Sequence, residues 1–168
     1  GTTNLTDNTI SGNTTNSSGA GIYISSTATL KGNMVQGNIA QGNGGGVYLE
    51  NGTVTLTGNT ISGNSSNNSG GGVFLQGGTV TLTGNTISQN SGAGFYCDYA
   101  QKMTASGNTL SENAANNNEQ TAGFYLNHSD PGSVFENNLI ANNKSGSRAV
   151  FVNTLNVSFK NNTLRDNQ

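Results

Sequence analysis

Residues 59–64 read NTISGN, and this six-residue unit returns with variation along the whole chain. Each copy begins and ends with asparagine, and the two asparagines are always five positions apart. The pairs are Asn8 and Asn13, Asn33 and Asn38, Asn59 and Asn64, Asn85 and Asn90, Asn108 and Asn113, Asn138 and Asn143, and Asn162 and Asn167. The first asparagine advances by 25, 26, 26, 23, 30 and 24 residues between copies. A fixed unit that recurs at such intervals indicates a repeat architecture.

An alternating strand precedes the asparagine unit. In TVTLTGN (53–59) every second residue is apolar, so a strand would bury Val54 and Leu56 and expose the threonines. The asparagine unit supplies a second short strand. A third follows a glycine cluster, as in GVYL (46–49) and GVFL (72–75).

Three short strands per coil of roughly 25 residues predict an all-β fold, a right-handed parallel β-helix (a solenoid) of about six to seven coils. Residues 1–168 would form a single domain of this kind. The strands would be parallel because each coil visits every side before it returns to the first. Right-handed coiling is expected because parallel crossovers are almost always right-handed. Leu56 and Leu82 should then stack inside neighbouring coils.

The asparagines have a structural role in this fold. A corner residue often lies in the left-handed region, which asparagine tolerates. An amide side chain also carries both donors and an acceptor, so identical asparagines stacked about 4.8 Å apart can bond coil to coil.

Two segments depart from the repeat, 115–121 and 128–132, and both are expected to protrude as loops. Residues 4–13 and 156–167 keep the repeat, which predicts uncapped ends that associate axially or continue into further coils.

Composition excludes several partners. Only 8% of residues are charged, the net charge is −2, and the six Lys and Arg residues are scattered, so no nucleic-acid partner is expected. The longest apolar run, AVFV (149–152), is too short for a membrane span. Cys97 is the only cysteine, which rules out an internal disulfide. Its position matches Leu49 and Leu75, so it should be a small buried hydrophobe.

Short motifs along nearly the whole chain resemble the repeats of polymorphic outer-membrane proteins, which are surface autotransporter passengers of intracellular bacteria. That family carries F-x-x-N and G-G-A-I/L/V tetrapeptides. FENN (135–138) and FKNN (159–162) match the first, LTGN (56–59) matches it with Leu for Phe, and GGGV (44–47) approximates the second. The resemblance implies a surface-exposed β-helix used in adhesion.

Catalytic chemistry is not expected. Enzymes on this fold, such as pectate lyases, need clustered carboxylates for Ca²⁺ and a basic side chain. The eight carboxylates here are spread over separate coils: Asp7, Glu50, Asp98, Glu112, Glu119, Asp130, Glu136 and Asp166. His128, the only histidine, should be a solvent-exposed loop residue beside Asp130. We therefore predict no catalytic residue, no metal site and no cofactor.

Two outward-facing stripes could carry a function. Threonines recur on the outer face at Thr27 and Thr29, Thr53 and Thr55, and Thr79 and Thr81. Such flat ladders resemble the ice-binding faces of some β-helical antifreeze proteins. The second stripe is aromatic. It consists of the middle residue of the third strand in each coil: Tyr23, Tyr48, Phe74, Tyr96, Tyr125 and Phe151.

The aromatic stripe is the predicted binding surface. In the third strand the flanking aliphatic residues fill the thin core, so the six rings should point outward and contact one another at the coil spacing. They would either only reinforce the stack or form an exposed strip that binds sugar rings or a neighbouring rod.

These observations favour a non-enzymatic extracellular or cell-surface protein. It would be an adhesin-like passenger or a structural module of a filament or surface layer, and its partners would be surface glycans, a host protein or other copies of itself. The alternatives are a glycan-binding or polysaccharide-processing β-helix protein and an ice-binding protein.

Overall fold

The computed structural model describes residues 1–116, 120–144 and 147–168, and within these ranges all regular structure is β. In chain order the strands are β1 Thr3–Thr6, β2 Thr9–Ser11, β3 Thr14–Thr15, β4 Ile22–Ile24, β5 Ala28–Lys31, β6 Met34–Gln36, β7 Ile39–Ala40, β8 Val47–Glu50, β9 Thr53–Thr57, β10 Thr60–Ser62, β11 Ser65–Ser66, β12 Val73–Gln76, β13 Thr79–Thr83, β14 Thr86–Ser88, β15 Phe95–Ala100, β16 Lys102–Ser106, β17 Thr109–Ser111, β18 Thr121–Ser129, β19 Val134–Glu136, β20 Leu139–Ala141, β21 Arg148–Val152, β22 Ser158–Lys160 and β23 Thr163–Arg165.

These strands form four parallel sheets, each of which takes strands from successive coils. The threonine sheet contains β1, β5, β9, β13, β16, β19 and β22, and the isoleucine sheet contains β2, β6, β10, β14, β17, β20 and β23. The aromatic sheet contains β4, β8, β12, β15, β18 and β21. The predicted parallel β-helix with about 25 residues per coil is therefore confirmed.

A fourth, short sheet adds a side to the predicted three. It contains β3, β7 and β11, and single parallel bridges continue it from Ser65 through Ser91 and Ala114 to Lys144. It directly follows the second asparagine of each pair, where the sequence alternates too briefly to identify a strand.

The core has the predicted phase. Val54 and Leu56 are fully buried, and Leu56 pairs in register with Leu82 of the next coil. Thr53 faces solvent, and Thr55 is only half-buried. One continuous cluster of aliphatic side chains, with Phe95, Phe124 and Phe135 among them, fills the coils. Each coil therefore buries its apolar residues against the coils before and after it.

The corners of the coil differ from the prediction. The residue before each paired asparagine, not the asparagine itself, adopts the left-handed conformation, with φ of 61° at Gly58 and 63° at Gly63. This left-handed residue turns the chain, and in the five inner pairs the following asparagine side chain is buried. Glycine suits the turning position because it has no Cβ to clash there.

One of the two predicted loops, 128–132, needs correction. His128 and Ser129 do not protrude as part of a loop, because they extend β18 and pair with Tyr99 and Ala100. Residues 117–119 of the other loop lie outside the described part of the chain. Just before them, Asn116 reaches back two coils, where its Nδ2 donates to the carbonyl oxygens of Ser66 at 2.9 Å and Asn68 at 2.8 Å.

Candidate functional site

Two buried asparagine ladders hold the coils together. Asn59 shows the pattern: its Oδ1 accepts the backbone N–H of Asn33 at 2.9 Å and the Nδ2 of Asn33 at 3.0 Å. Its own Nδ2 donates to Asn85 Oδ1 and to the Leu30 carbonyl oxygen, both at 2.9 Å. Both donors and the acceptor of the amide are thus used without water, which makes the ladder asparagines of the inner coils costly to replace.

The six predicted aromatic residues do stack along the aromatic sheet. Successive ring centroids, from Tyr23 through to Phe151, are 5.0, 5.3, 5.2, 4.2 and 4.7 Å apart, and the rings are within 14° of parallel. The residues that flank them, such as Val47 and Leu49 around Tyr48, belong to the core. The stack therefore lies on the outer face of the sheet, as strand alternation requires.

The stack is not the exposed strip that the sequence predicts. Tyr23 is 52% exposed, but Tyr48 and Phe74 are only 6% and 5% exposed, and the other three rings are half-buried. The glycine segment folds back over the strand, so that a Cβ on Gly44 would lie 2.9 Å from the Tyr48 Cβ. Because neighbouring rings occupy the faces of the inner rings, those faces have no room for a sugar. A binding role for the six residues stays a prediction.

The tyrosine hydroxyls connect the stack to a second row of polar side chains. The Tyr23 hydroxyl donates to the Glu50 carboxylate, and the Tyr48 hydroxyl donates to Gln76 Oε1. The hydrogen bond to Glu50 raises the pKa of Tyr23 to about 12. Burial raises the pKa of Tyr48, and burial together with a hydrogen bond to Tyr125 raises the pKa of Tyr96.

Alkaline titration should therefore show late-ionising tyrosines. Tyr23, Tyr48 and Tyr96 should ionise above the ordinary pKa of 10. Since a raised pKa favours the neutral form, their contribution to stability is complete below that value, and the part due to Tyr23 is lost as the pH rises through about 12. Tyrosinate absorbance against pH, with urea unfolding on both sides of this window, measures both effects. A single native transition of all tyrosines at the ordinary pKa would contradict the stack.

The carboxylates that the structure describes are not grouped as a catalytic cluster would be. Glu50 and Asp98 both lie in aromatic-sheet strands, at the end of β8 and within β15, but the coil of Gln76 lies between them. In the described ranges no three His, Cys, Asp or Glu side chains are grouped as a metal site would require. Cys97 is buried as predicted, and burial raises the pKa of its thiol, so it should be unreactive in the folded chain.

Sequence reasoning missed a further exposed aromatic residue on the aromatic sheet, Tyr99. A β-bulge after Leu75 places Asp98 opposite no residue of β12 and brings Tyr99 into register with Gln76. Both Asp98 and Tyr99 are exposed, and Ala100 returns to the core. The spacing contains the signal, because Lys102 follows Cys97 by five positions, whereas the equivalent Thr79 follows Leu75 by four.

The threonine rows are longer on one sheet than the sequence indicates. Thr29, Thr55, Thr81 and Thr104 pair in register over four coils of the threonine sheet. On the isoleucine sheet, Met34 and Leu139 interrupt the equivalent row. Because only one threonine row extends over four coils, and the rows of Thr53 with Thr79 and of Thr57 with Thr83 are shorter, ice binding stays a prediction.

Length varies on only one side of the coil. The interval from the second asparagine of a pair to the stacked aromatic residue is 10, 10, 10, 6, 12 and 8 residues in successive coils. From that aromatic residue to the next pair it is 10, 11, 11, 12, 13 and 11 residues. Both variable segments flank the aromatic sheet, whereas the interval within each pair is always five.

Comparison with known proteins agrees with the fold. Among the described residues, no helix has the length and apolarity to cross a membrane. No curated protein and no solved structure gives a significant match to the chain. The model of the family described as "Right handed beta helix region" matches residues 1–168. Since this match covers the whole sequence and the coils have the required topology, the chain belongs to the right-handed β-helix family.

Proposed function

We propose that this chain is a non-enzymatic extracellular recognition module, an adhesin-like rod that binds through its aromatic-sheet side. The observation that carries the proposal is the confinement of length variation to the two segments that flank the aromatic sheet. In solenoid proteins, insertions that differ between repeats map to loops on one face, and this is often the binding face. The constant sides would then serve as a rigid support.

The hydrogen bonding supports this division of roles. In the inner coils the isoleucine strand lies between two asparagines whose amides are fully bonded, as Asn59 and Asn64 are: Asn59 joins it to the threonine strand and Asn64 joins it to the short fourth sheet. A support of this kind holds the side chains of the aromatic sheet at fixed positions. Preorganised surfaces bind better because less conformational entropy is lost on association.

The surroundings of the carboxylates favour binding over catalysis. Glu50 accepts the Tyr23 hydroxyl, and Asp98 accepts the Asn127 amide at 3.3 Å. Paired acid–base chemistry on a polysaccharide needs two carboxylates that face one scissile bond. Since one fold hosts many functions, the surroundings of these side chains, and not the fold, support the proposal.

The resemblance to polymorphic outer-membrane protein repeats supports a location outside the cell or on its surface. Partners of such a module would be surface glycans, a host protein or a second rod packed alongside.

Selective shielding of one side tests the proposal. Single cysteines at Asn68 and at Thr83 would carry polyethylene glycol maleimide, the first beside the aromatic sheet and the second on the threonine sheet. Both positions are exposed, and native Cys97 is too buried to react. Beads coated with each conjugate would be counted on cultured epithelial and bacterial cells. We expect the Asn68 shield to abolish adhesion and the Thr83 shield to leave it unchanged.

Two results would overturn the proposal. One is adhesion that is lost only with the Thr83 shield. The other is turnover of polygalacturonate or alginate by the purified chain that disappears in Glu50→Gln or Asp98→Asn.

A further inference from the structure

The β-bulge at Asp98 produces the most distinctive surface of the aromatic sheet. In a regular strand Tyr99 would point into the core, because it follows Cys97 by two residues. The extra residue in the bulge changes this, and Tyr99 is 44% exposed. Bulges are common where a strand must re-aim a side chain at a functional site.

The Tyr99 ring differs from the six stacked rings. In the described part of the chain those six contact one another face to face, while Tyr99 makes no ring–ring contact. Its partners in register are Gln76 on one side and His128 on the other. An aromatic ring of this kind combines an apolar face with a hydrogen-bonding hydroxyl.

A polar row lies beside this ring. Asn127 Nδ2 donates to Asp98 Oδ1 at 3.3 Å, and Asn153 Nδ2 donates to Asn127 Oδ1 at 3.1 Å. The row therefore runs across three successive coils, and neighbouring strands are about 4.8 Å apart. Amides and a carboxylate in a line offer alternating donors and acceptors along the rod axis.

The row leads into a surface groove of about 550 Å³. His128, Pro131, Asn153, Thr154 and Leu155 are among the residues that line it. Grooves of this size suit small-molecule ligands or a short stretch of a polymer. Tyr99, the polar row and the groove therefore form one continuous surface, which we call the Tyr99 strip.

We propose that the Tyr99 strip binds a neutral glycan chain that runs along the rod axis. This inference rests on the proposed function and names the ligand class of the same side of the coil. The Tyr99 ring would pack against the apolar face of a sugar ring. The side chains of Gln76, Asp98, Asn127 and Asn153 would exchange hydrogen bonds with the sugar hydroxyls.

Charge selects a neutral over an acidic glycan. Two carboxylates, Asp98 and Asp130, lie on or beside the strip, and Glu50 lies farther along the same sheet. Of the basic side chains nearest to the strip in sequence, Lys102 is the first residue of β16 in the threonine sheet, and the guanidinium carbon of Arg148 lies 5.1 Å from the centroid of the Phe151 ring. A uronate polymer would therefore meet like charge without a compensating cation.

Affinity electrophoresis of the full chain tests the proposal. The gels would contain galactomannan, xyloglucan, mixed-linkage β-glucan or dextran as neutral probes, and polygalacturonate as the acidic one. We expect at least one neutral probe to retard the chain more than polygalacturonate does. Tyr99→Ala should weaken that retardation about tenfold, the effect expected when a central aromatic contact is truncated.

Two variants separate binding from folding. Tyr99→Phe keeps the ring and should retain most of the binding, while Gln101→Ala changes an exposed neighbour and should bind as the native chain does. The melting temperatures of Tyr99→Ala, Tyr99→Phe and Gln101→Ala should all match that of the native chain, because both positions are exposed. The proposal is overturned if no neutral probe retards the native chain, or if Tyr99→Ala binds as tightly. If either of these results were found while the coated beads still adhered to cells, the proposed function would stand and only the assignment of a neutral glycan as its ligand would be wrong.

Discussion

Replacing Leu56 with aspartate should abolish folding. Leu56 is fully buried and in register with Leu30 and Leu82 of the adjacent coils, so a carboxylate there would be surrounded by aliphatic side chains. An unpaired buried charge costs several kcal/mol in addition to the lost packing. Since whole domains are stable by only about 5–15 kcal/mol, the variant should show no cooperative thermal transition by circular dichroism.

The matched control is Thr53→Asp, three residues earlier in the same strand. Thr53 is exposed, so this change adds the same charge without burying it and should shift the melting temperature little. If Leu56→Asp melts like the native chain while Thr53→Asp unfolds, the inside and outside of the threonine sheet have been assigned the wrong way round.

The second large effect is expected for Asn64→Leu. Asn64 Oδ1 accepts the backbone and side-chain N–H groups of Asn38, both at 3.0 Å, and its Nδ2 donates to the Val35 carbonyl oxygen at 3.0 Å. A leucine of similar volume would leave these buried groups without partners. Each such group costs about 1–3 kcal/mol, so the free energy of unfolding should fall by roughly 3 kcal/mol or more.

Asn16→Leu is the comparison variant for the ladder. Asn16 is exposed and lies outside both ladders, so its replacement should leave denaturant unfolding nearly unchanged. Equal midpoints for Asn64→Leu and Asn16→Leu would mean that the ladders contribute nothing beyond the packing of the coils.

The fold could be predicted because its determinants are local and repeated. The alternation around Leu56 sets which residues are buried, and the five-residue asparagine interval sets the length of one side. Both patterns recur in successive coils, so they predict the same structure several times. The left-handed corner was assigned one residue too late, because asparagine and glycine both tolerate that conformation and stand next to each other in GN.

The candidate site could be predicted only in part. Stacking of the aromatic residues follows from one ring per coil, but their exposure depends on the path of the glycine segments, as at Gly44 and Tyr48. The bulge that exposes Tyr99 depends on pairing with the neighbouring coil, which a single strand does not reveal. The reach of Asn116 back to Ser66 spans 50 residues of sequence and follows no repeated pattern.

The most direct test of the central claim is the ratio of bead adhesion between the two shielded chains. The claim is that the aromatic-sheet side recognises the partner, while the threonine and isoleucine sides support it. The account predicts that beads shielded at Asn68→Cys adhere no better than uncoated beads and that beads shielded at Thr83→Cys adhere like unshielded ones. Equal adhesion of the two, or loss of adhesion only with the Thr83 shield, would contradict it.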